Sequence, residues 1–466
     1  MQTYLFYDIE TTGLSKSFDQ VLHFAAIRTD LALQEIERYE LILKFNPDTV
    51  PSPIAMITHH MSIEDILAGT SEIDAIKQIH HWLNEPETIS VGYNSLEFDD
   101  EFLRFSFYRN LLPPYTHQYA NQCGRLDIYP IAIMYFLYKN DVIKWPRVDN
   151  KNSLKLEDIN QLNQLAMGRA HHAMVDVEAT LALAQRFYTE RKMWDYVTGY
   201  FNKRVDQERT KETSPEGLMV YGKIGAANYY QCPVLFLGNH QTYTNQTRWL
   251  RLDTPELATT TAETIATTTK SFNKKWGEPG FILPNKERFL QHLSSERQAL
   301  AETNRQWLQQ NPELFKKIAE YHCNYTYTSF PNTDIDASLY LNGFWSDADH
   351  GFCRRFHAVH PEEKSAMIEK TTNAQLKALA IRILGRHYPD ALTNTQAEHF
   401  TEYMQRVNPN GNGEADIIID YKGNKRLDSK AALHEIKELR KKTLTPEQTA
   451  LLAELESYLS TRFSIE

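Results

Sequence analysis

The sequence is poor in the features that mark several common classes of protein. Its 466 residues include only four cysteines, and these lack the spacing of a metal site (Cys123, Cys232, Cys323 and Cys353). Such a pattern is typical of ordinary thiols in a reducing cytoplasm. No apolar run approaches the roughly 20 residues that a membrane helix needs, and the first residues show no signal-peptide pattern. We therefore expect a cytoplasmic protein without membrane partners.

The chain also lacks an excess of positive charge. It carries 50 basic and 60 acidic residues, for a net charge of −10. A protein that coats nucleic acid indiscriminately needs a strong positive field, so the composition argues against that class. A local basic groove on an acidic protein is still compatible with these numbers.

The most informative stretch is residues 3–14, T-Y-L-F-Y-D-I-E-T-T-G-L. An apolar and aromatic run predicts a buried strand, yet it ends in Asp8 and Glu10. Residues i and i+2 of a strand point to the same face, so two carboxylates are aimed at one point. Burying them is costly unless a cation compensates, and Mg²⁺ or Mn²⁺ suits carboxylate oxygens. For a lone D-x-E, a solvated acidic turn is the commoner outcome.

The order of apolar segments predicts an α/β fold for the first part of the chain. Runs at residues 4–7, 23–29 and 40–45 predict three consecutive strands in an antiparallel meander, and residues 88–93 predict a fourth strand. Helices are predicted between and after these strands, ending with one over residues 173–188. Strands followed by helices in this order indicate an α/β domain of nearly 190 residues.

Composition changes beyond that point. Residues 202–216 are polar and charged and predict a surface linker. Short β-like segments follow and predict a small β-rich domain or barrel (218–222, 233–237 and 248–252). The threonine-rich tract at 259–269 predicts a loop or a weak helix. From residue 285 onward the pattern is helical, interrupted by a predicted loop at residues 408–413.

Further acidic and imidazole groups are candidates for the same site. Asp99 follows the fourth predicted strand at a helix start, where a carboxylate is favoured; the alternative is a simple N-cap. Asp176 lies beside the apolar stripe of a helix, an uncommon place for an aspartate without a cationic partner. If that helix includes both preceding histidines, His172, at i+4, is nearest to Asp176. His171 would reach the same cleft only from a loop before the first turn, so spacing alone leaves both histidines open.

Taken jointly, these pieces resemble a known set of motifs. D-I-E at residues 8–10, N-S-L-E-F-D at 94–99 and A-H-H-A-M-V-D-V at 170–177 are similar to the three motifs of the DEDDh 3′→5′ exonuclease superfamily. The third motif of that superfamily is His, four residues, Asp, which selects His171. Segments outside the motifs, including L-Y-L-N-G-F-W-S-D-A-D at 339–349, resemble the bacterial exodeoxyribonuclease I family. The T-T-G-L at 11–14 departs from its best-known members.

The resemblance implies a three-part fold. It implies an RNase H-like exonuclease domain, a mixed sheet with helices, over residues 1–190. An SH3-like β domain over 191–330 and a C-terminal helical domain over 331–466 would follow. The fold class is therefore expected to be α/β.

The resemblance also implies a two-metal phosphodiesterase. Asp8, Glu10, Asp99 and Asp176 would hold two Mg²⁺ ions in each active site, with Mn²⁺ as a substitute. His171 would be the general base for the attacking water, so activity is expected to fall as the pH drops through about 6.5. The implied reaction is 3′→5′ hydrolysis of single-stranded DNA to 5′-mononucleotides, in DNA repair or recombination.

Contacts with substrate and partner follow from the same resemblance. Glu10 and the segment from Thr11 to Leu14 would meet the terminal nucleotide, with Leu14 as a wedge against the bases; the alternative is that Leu14 belongs to the core. Lys139 is a candidate basic contact, and a solvated surface lysine is its alternative. Four aromatic residues are candidates for stacking on bases, although most are expected in the core (Tyr93, Phe98, Tyr108 and Trp145). The acidic C-terminal tail of single-stranded DNA-binding protein is the expected protein partner, and a monomer is expected.

Two other functions stay open. An RNA 3′-end trimmer would use the same five catalytic residues, and the motifs contain no visible reader of the 2′-hydroxyl. The match at residues 339–349, outside the nuclease motifs, favours DNA. A catalytically silent module that only tethers single strands is the second alternative, and the intact set of metal ligands argues against it.

Overall fold

The described part of the chain forms two compact units. The computed structural model describes residues 1–328, 330–341, 343–408 and 417–463. One unit holds Met1–Arg125, Met167–Glu178 and the described part of Thr328–Glu466, and the other holds Leu126–Ala166 and Ala179–Tyr327. The loop predicted at 408–413, apart from Asn408, and position 342 of the segment matched at 339–349 lie outside the described residues. The three-domain division at residues 190 and 330 stays a prediction.

A mixed five-stranded sheet opens the fold, as the α/β prediction requires. Its strands are β1 (Thr3–Thr11), β2 (Val21–Thr29), β3 (Glu35–Ile42), β4 (Thr88–Gly92) and β5 (Gly124–Asp127). Their order is β3-β2-β1-β4-β5, with β2 antiparallel to both β1 and β3 and with β1 parallel to β4. The predicted opening meander and the predicted fourth strand are therefore confirmed. Strand β2 is buried along its whole length, as a strand covered on both faces should be.

In the described residues, nine helices come between and after these strands along the chain. They are α1 (Pro53–His59), α2 (Ile63–Leu67), α3 (Glu72–Asn84), α4 (Asp99–Arg109), α5 (Ile128–Tyr138), α6 (Leu156–Asn163), α7 (Ala173–Tyr188), α8 (Arg191–Thr198) and α9 (Lys203–Thr213). A short hairpin of β6 (Arg147–Val148) and β7 (Lys151–Asn152) precedes α6. Helix α7 has the bounds that the apolar stripe predicted.

Alternation along β1 separates the core from the candidate site. Leu5, Tyr7 and Ile9 are buried in one hydrophobic cluster with residues of α3 and α4. Because successive side chains of a strand point to opposite faces, Asp8 and Glu10 project from the other face of β1. The packing of one face thus fixes the direction of both carboxylates.

The polar segment at 202–216 forms helix α9, so the prediction of a linker is wrong. The Asn202 side chain caps the helix by accepting the backbone N–H groups of Arg204 and Val205 at 3.1 and 3.2 Å. On the helix, Asp206 is buried and lies 2.5 Å from Lys274 Nζ. A cap and a buried ion pair stabilise a helix whose composition is too polar to show a periodic pattern.

The middle of the chain forms a second, antiparallel sheet, which confirms the predicted β-rich segment. Its strands are β8 (Glu216–Val220), β9 (Gln231–Asn239), β10 (Gln246–Arg251), β11 (Ser271–Lys275) and β12 (Phe281–Leu283), in the order β11-β10-β9-β8-β12. The threonine-rich tract contributes only the four-residue helix α10 (Ile265–Thr268). Hydrogen bonds among backbone groups and threonine hydroxyls within this tract stabilise it locally. This agrees with the predicted loop or weak helix.

The C-terminal part is helical, as predicted. Its helices are α11 (Glu287–Leu290), α12 (Ser295–Gln310), α13 (Pro312–Cys323), α14 (Asp347–Ala358), α15 (Pro361–Lys370), α16 (Ala374–His387), α17 (Asn394–Val407), α18 (Ser429–Leu439) and α19 (Pro446–Phe463). Leu452 and Leu455 of α19 are buried in one cluster with Met56 and Ile57 of α1. Across the described residues, no helix combines the length and the apolar character that crossing a bilayer requires.

Candidate active site

Three carboxylates meet where β1 faces the start of α7. Asp8 and Glu10 come from the strand, and Asp176 comes from the first turn of the helix. One ligand oxygen from each of these residues lies within 4.8 Å of the other two, and all three side chains are half-buried. The structure therefore brings together residues that are more than 160 positions apart in the sequence.

Burial and the like charges of neighbouring carboxylates together disfavour ionisation of the carboxyl groups in this cluster. Burial raises the pKa of Asp8 well above its ordinary value, and the carboxylates of Asp99, Glu10 and Asp176 raise that pKa further. Burial also raises the pKa of Glu10 from 4.5 to about 9, with contributions from Asp176 and then Asp99. Each carboxylate thus disfavours the ionised form of its neighbours. Protons or a bound cation would relieve this repulsion.

Asp99 belongs to the same electrostatic group from a different element. It is the first residue of α4, and it is buried. The N-cap position is occupied by Phe98, so the simple N-cap alternative for Asp99 is wrong. Its charge acts on Asp8 more than that of any other carboxylate. Asp99 is not among the three residues whose oxygens lie within 4.8 Å of one another.

The donor set fits a divalent cation. Three carboxylate oxygens from separate side chains are the ligands that Mg²⁺ and Mn²⁺ prefer. A doubly positive ion between them would replace repulsion by attraction and would allow all three groups to ionise. Asp8, Glu10 and Asp176 are the residues that would hold it.

The two histidines lie in different surroundings before α7. The helix begins at Ala173, so neither histidine is part of it, and the condition that favoured His172 is not met. The backbone N–H of His171 donates to Asp176 Oδ2 at 3.1 Å, and His171 has a φ of 61° with an exposed side chain. The His172 ring instead packs edge-on against His23, with 5.1 Å between the ring centroids. His171 therefore lies in the loop before the helix, where its backbone N–H is hydrogen-bonded to Asp176.

Comparisons with known proteins show which proteins this chain resembles. Residues 5–184 match the family model described as Exonuclease, and residues 333–462 match the model described as Exonuclease I C-terminal domain. Exodeoxyribonuclease I of Escherichia coli (strain K12) is 27% identical over 431 residues, which cover 87% of this chain and 90% of that protein. The chain is a homologue of exodeoxyribonuclease I.

Solved structures of exonuclease I share the fold along the whole chain. A crystal structure of E. coli exonuclease I in complex with a dA16 oligonucleotide covers 99% of this chain and 100% of that chain, with a TM-score of 0.87 at 23% identity. A zinc-ion-bound form of the E. coli complex with single-stranded DNA has a TM-score of 0.84 at 24% identity and covers 99% of each chain. The resemblance to exodeoxyribonuclease I in the sequence is therefore confirmed.

The turn that follows β1 is built around one aspartate. The Thr12 hydroxyl donates to Asp19 Oδ1 at 3.1 Å, and the Ser15 backbone N–H donates to Asp19 Oδ2 at 2.7 Å. A Cβ on Gly13 would lie only 2.5 Å from Asp19 Oδ2. Leu14 at the tip of this turn is 75% exposed. The alternative that Leu14 belongs to the core is therefore wrong, while Thr11 is buried with its hydroxyl donating to Gly13 O at 2.7 Å.

The stacking candidates divide by burial. Tyr108 is buried, and its hydroxyl donates to Ile335 O at 3.0 Å, so it is a core residue. Trp145 packs against Phe136 and donates from Nε1 to Asn140 O at 3.0 Å. Tyr93 and Phe98 are half-buried. Lys139 pairs with Glu190 at 3.0 Å on the surface, which matches the alternative of a solvated lysine.

Sequence reasoning missed several groups around the site. Asp19 gave no signal, because an isolated aspartate after a turn has many roles. Asp100, next to Asp99, is buried and is held by Arg104, Arg125 and His117, with the last two at 2.7 and 2.8 Å. The adjacent D-D pair was visible in the sequence, but its partners lie up to 25 positions away.

Proposed function

We propose that this protein is an exodeoxyribonuclease that hydrolyses single-stranded DNA from its 3′ end and releases 5′-mononucleotides. The observation that carries the proposal is the meeting of Asp8, Glu10 and Asp176, beside buried Asp99, in a homologue of exodeoxyribonuclease I. The E. coli relative that binds a dA16 oligonucleotide supports single-stranded DNA as the substrate.

The acidic residues have a defined task in this proposal. Asp8, Glu10 and Asp176 would hold one divalent cation, and Asp8 with Asp99 would hold a second, with Mg²⁺ as the expected ion and Mn²⁺ as a substitute. Such cations, when bound, stabilise the charge that builds up during cleavage of a phosphodiester. The role of the side chains themselves would be to hold such cations beside the end of β1. Removal of one of them should stop cleavage without unfolding the chain.

His171 is the proposed general base. Its backbone N–H bond to Asp176 Oδ2 anchors it to the helix that carries the third carboxylate. Its ring is exposed, and in this role a neutral imidazole would accept the proton of the attacking water. Activity should therefore fall as the solution becomes acidic enough to protonate an imidazole.

The turn after β1 is the proposed seat of the terminal nucleotide. Backbone groups from Thr11 to Leu14, with Glu10, would hold the 3′-hydroxyl, and exposed Leu14 would press against the bases. The hydrogen bonds that Thr12 and Ser15 donate to Asp19 would keep this turn in one conformation.

The remaining expectations extend the proposal. We expect an exonuclease domain at 1–190, an SH3-like domain at 191–330 and a helical domain at 331–466. The acidic tail of single-stranded DNA-binding protein is the proposed protein partner, and DNA repair or recombination is the proposed process. A monomeric state and a cytoplasmic location stay predictions.

One experiment tests the reaction. Purified protein is incubated with single-stranded DNA, single-stranded RNA or duplex DNA, labelled at either end, in Mg²⁺ or in EDTA. Mononucleotides released only from the 3′ end of single-stranded DNA, and only with Mg²⁺, are expected. Asp8→Ala should be inactive, while Asp141→Ala, which changes an exposed aspartate, should keep the activity of the original chain.

The other outcomes point to the other functions. Trimming of RNA in preference to DNA would identify an RNA exonuclease. Tight strand binding without any release of nucleotides, in the original chain and in Asp8→Ala alike, would identify a silent binding module.

A further inference from the structure

A second group of metal-binding side chains lies on the first unit, outside the residues proposed to cleave DNA. It consists of His23, Glu40 and His172, which we call the imidazole cluster. One ligand atom from each lies within 4.8 Å of the other two. His23 Nε2 is 2.9 Å from Glu40 Oε1, and the His172 ring stands nearly perpendicular to that of His23, at 83°.

The sheet register explains why these groups meet. His23 on β2 is two residues from Ala25, which lies opposite Glu40 on β3. Side chains directly opposite in an antiparallel pair share a face, as do residues i and i+2. His23 and Glu40 therefore point to the same side of the sheet. His172, just before α7, packs against His23 and is the third member of the cluster.

The imidazole cluster is adjacent to the carboxylate cluster but uses other residues. Glu10 lies opposite His23 in the pairing of β1 with β2, so both side chains are on one face. The backbone N–H of Asp176 donates to His172 O at 3.1 Å, one helical turn away. The two clusters thus lie side by side along a single face of the sheet.

The chemistry of the two clusters differs. Two imidazole nitrogens and one carboxylate oxygen form a ligand set that zinc enzymes use, with a fourth position left for water. Mg²⁺ and Ca²⁺ prefer sites made of oxygen atoms alone. Ligands at about 2.0–2.1 Å from a tetrahedral Zn²⁺ stand roughly 3.3 Å apart. The 2.9 Å spacing of His23 and Glu40 is close to this value. Small rotations of the exposed side chains of Glu40 and His172 would bring the three ligand atoms to the spacing that Zn²⁺ requires.

We propose that His23, Glu40 and His172 bind one Zn²⁺ ion at a site distinct from the carboxylates of Asp8, Glu10 and Asp176. The ion would join β2, β3 and the segment before α7. The proposal does not depend on the nuclease activity.

The test measures zinc binding while Mg²⁺ occupies the sites made only of oxygen. The full chain is stripped with a chelator, dialysed into a large excess of Mg²⁺, and titrated with Zn²⁺ by calorimetry. Co²⁺ is used in parallel, because its visible absorption reports tetrahedral ligation. We expect one Zn²⁺ per chain and a rise in the unfolding temperature on binding.

Variants assign the ion to its ligands. His172→Ala and Glu40→Gln change exposed side chains, so the fold should be kept, and each should weaken Zn²⁺ binding by about 10-fold or more. Asp8→Ala should leave the binding of this Zn²⁺ unchanged. The matched control is His81→Ala, because His81 is an exposed histidine that also faces a glutamate, Glu85, at 3.8 Å.

Three results would overturn the proposal. The first is the absence of Zn²⁺ binding by the original chain in excess Mg²⁺. The second is loss of binding in Asp8→Ala with full binding in His172→Ala, which would assign the ion to the carboxylate cluster. The third is equal binding by all variants, which would identify adventitious association with the surface.

Discussion

Each carboxylate of the active-site cluster should lower the stability of the metal-free protein, because it is buried beside other negative charges. Replacing Asp8 with asparagine removes one of several like charges and keeps the shape of the side chain. We expect cleavage to fall by on the order of 10³-fold or more, while the metal-free protein keeps or gains free energy of unfolding. Cleavage assays and urea unfolding in EDTA measure the two effects, with Asp141→Asn as the control. Asp8→Asn with normal cleavage would remove Asp8 from the site.

The titration of Glu10 predicts a dependence of stability on pH. Its pKa is raised from 4.5 to about 9 by burial and by Asp176 and Asp99, so the folded protein binds a proton that the unfolded chain releases. The metal-free protein should therefore lose stability as the pH rises from about 4.5 to about 9. The unfolding temperature of the original chain, compared with that of Glu10→Gln in EDTA from pH 5 to pH 9, measures this loss. A difference that does not change with pH would contradict the assignment, and added Mg²⁺ should reduce the loss.

Substitution of Asp99 should affect cleavage, whereas substitution of its neighbour Asp100 should affect stability. Burial alone would raise the pKa of Asp100, but Arg104, Arg125 and His117 outweigh it and hold that pKa well below its ordinary range. Asp100→Ala leaves buried cations without their partner and should cost about 3–5 kcal/mol of stability. Asp99→Ala should abolish cleavage at little cost in stability. Unfolding curves and cleavage rates of the two variants form one matched comparison, and identical profiles would refute it.

At the scale of elements, the turn after β1 is the part most sensitive to small changes. Gly13→Ala places a Cβ 2.5 Å from Asp19 Oδ2 and must displace the Asp19 carboxylate from its hydrogen bonds. We expect kcat/KM on single-stranded DNA to fall by roughly 10-fold or more, with a loss of stability of about 1–2 kcal/mol. In Gly124→Ala the new Cβ meets only Ile89 Cγ1, at 3.8 Å, so this variant is the control. Equal kcat/KM in both variants would separate the turn from substrate binding.

The elements also show what sequence reasoning reaches and where it stops. Alternation and apolar periodicity predicted β1, β2, β4 and α7, because those signals are local. Helix α9 was missed because its stability comes from the Asn202 cap and from Asp206 meeting Lys274, about 70 positions away. Likewise, the motif spacing located the acids, but the approach of His23 to Glu40 depends on strand register, which no local pattern specifies.

At the scale of the whole molecule, the C-terminal helices and the nuclease sheet of the first unit form one packed structure. Asp48 is buried, and it accepts from Arg386 Nη2 at 2.8 Å, from Arg426 Nη2 at 3.3 Å and from the Tyr403 hydroxyl at 2.6 Å. Burial alone would raise the pKa of Asp48, but the arginines outweigh it and hold that pKa well below its ordinary value.

Asp48→Ala should therefore destabilise both parts of the first unit together. Removing one partner of a buried charge network costs about 3–5 kcal/mol, so the unfolding temperature should drop while the sheet and the C-terminal helices still unfold in one transition. Calorimetry of this variant beside Asp390→Ala, which changes an exposed aspartate, checks the prediction. Separate transitions for the two parts would show that the network does not join them.

The most direct test of the central claim is a crystal of this protein soaked in Mn²⁺ and measured at the manganese absorption edge. The account predicts an anomalous peak within ligand distance of the carboxylates of Asp8, Glu10 and Asp176, and no such peak in crystals of Asp8→Asn. A peak at other residues only, or the same peak in both crystals, would contradict it.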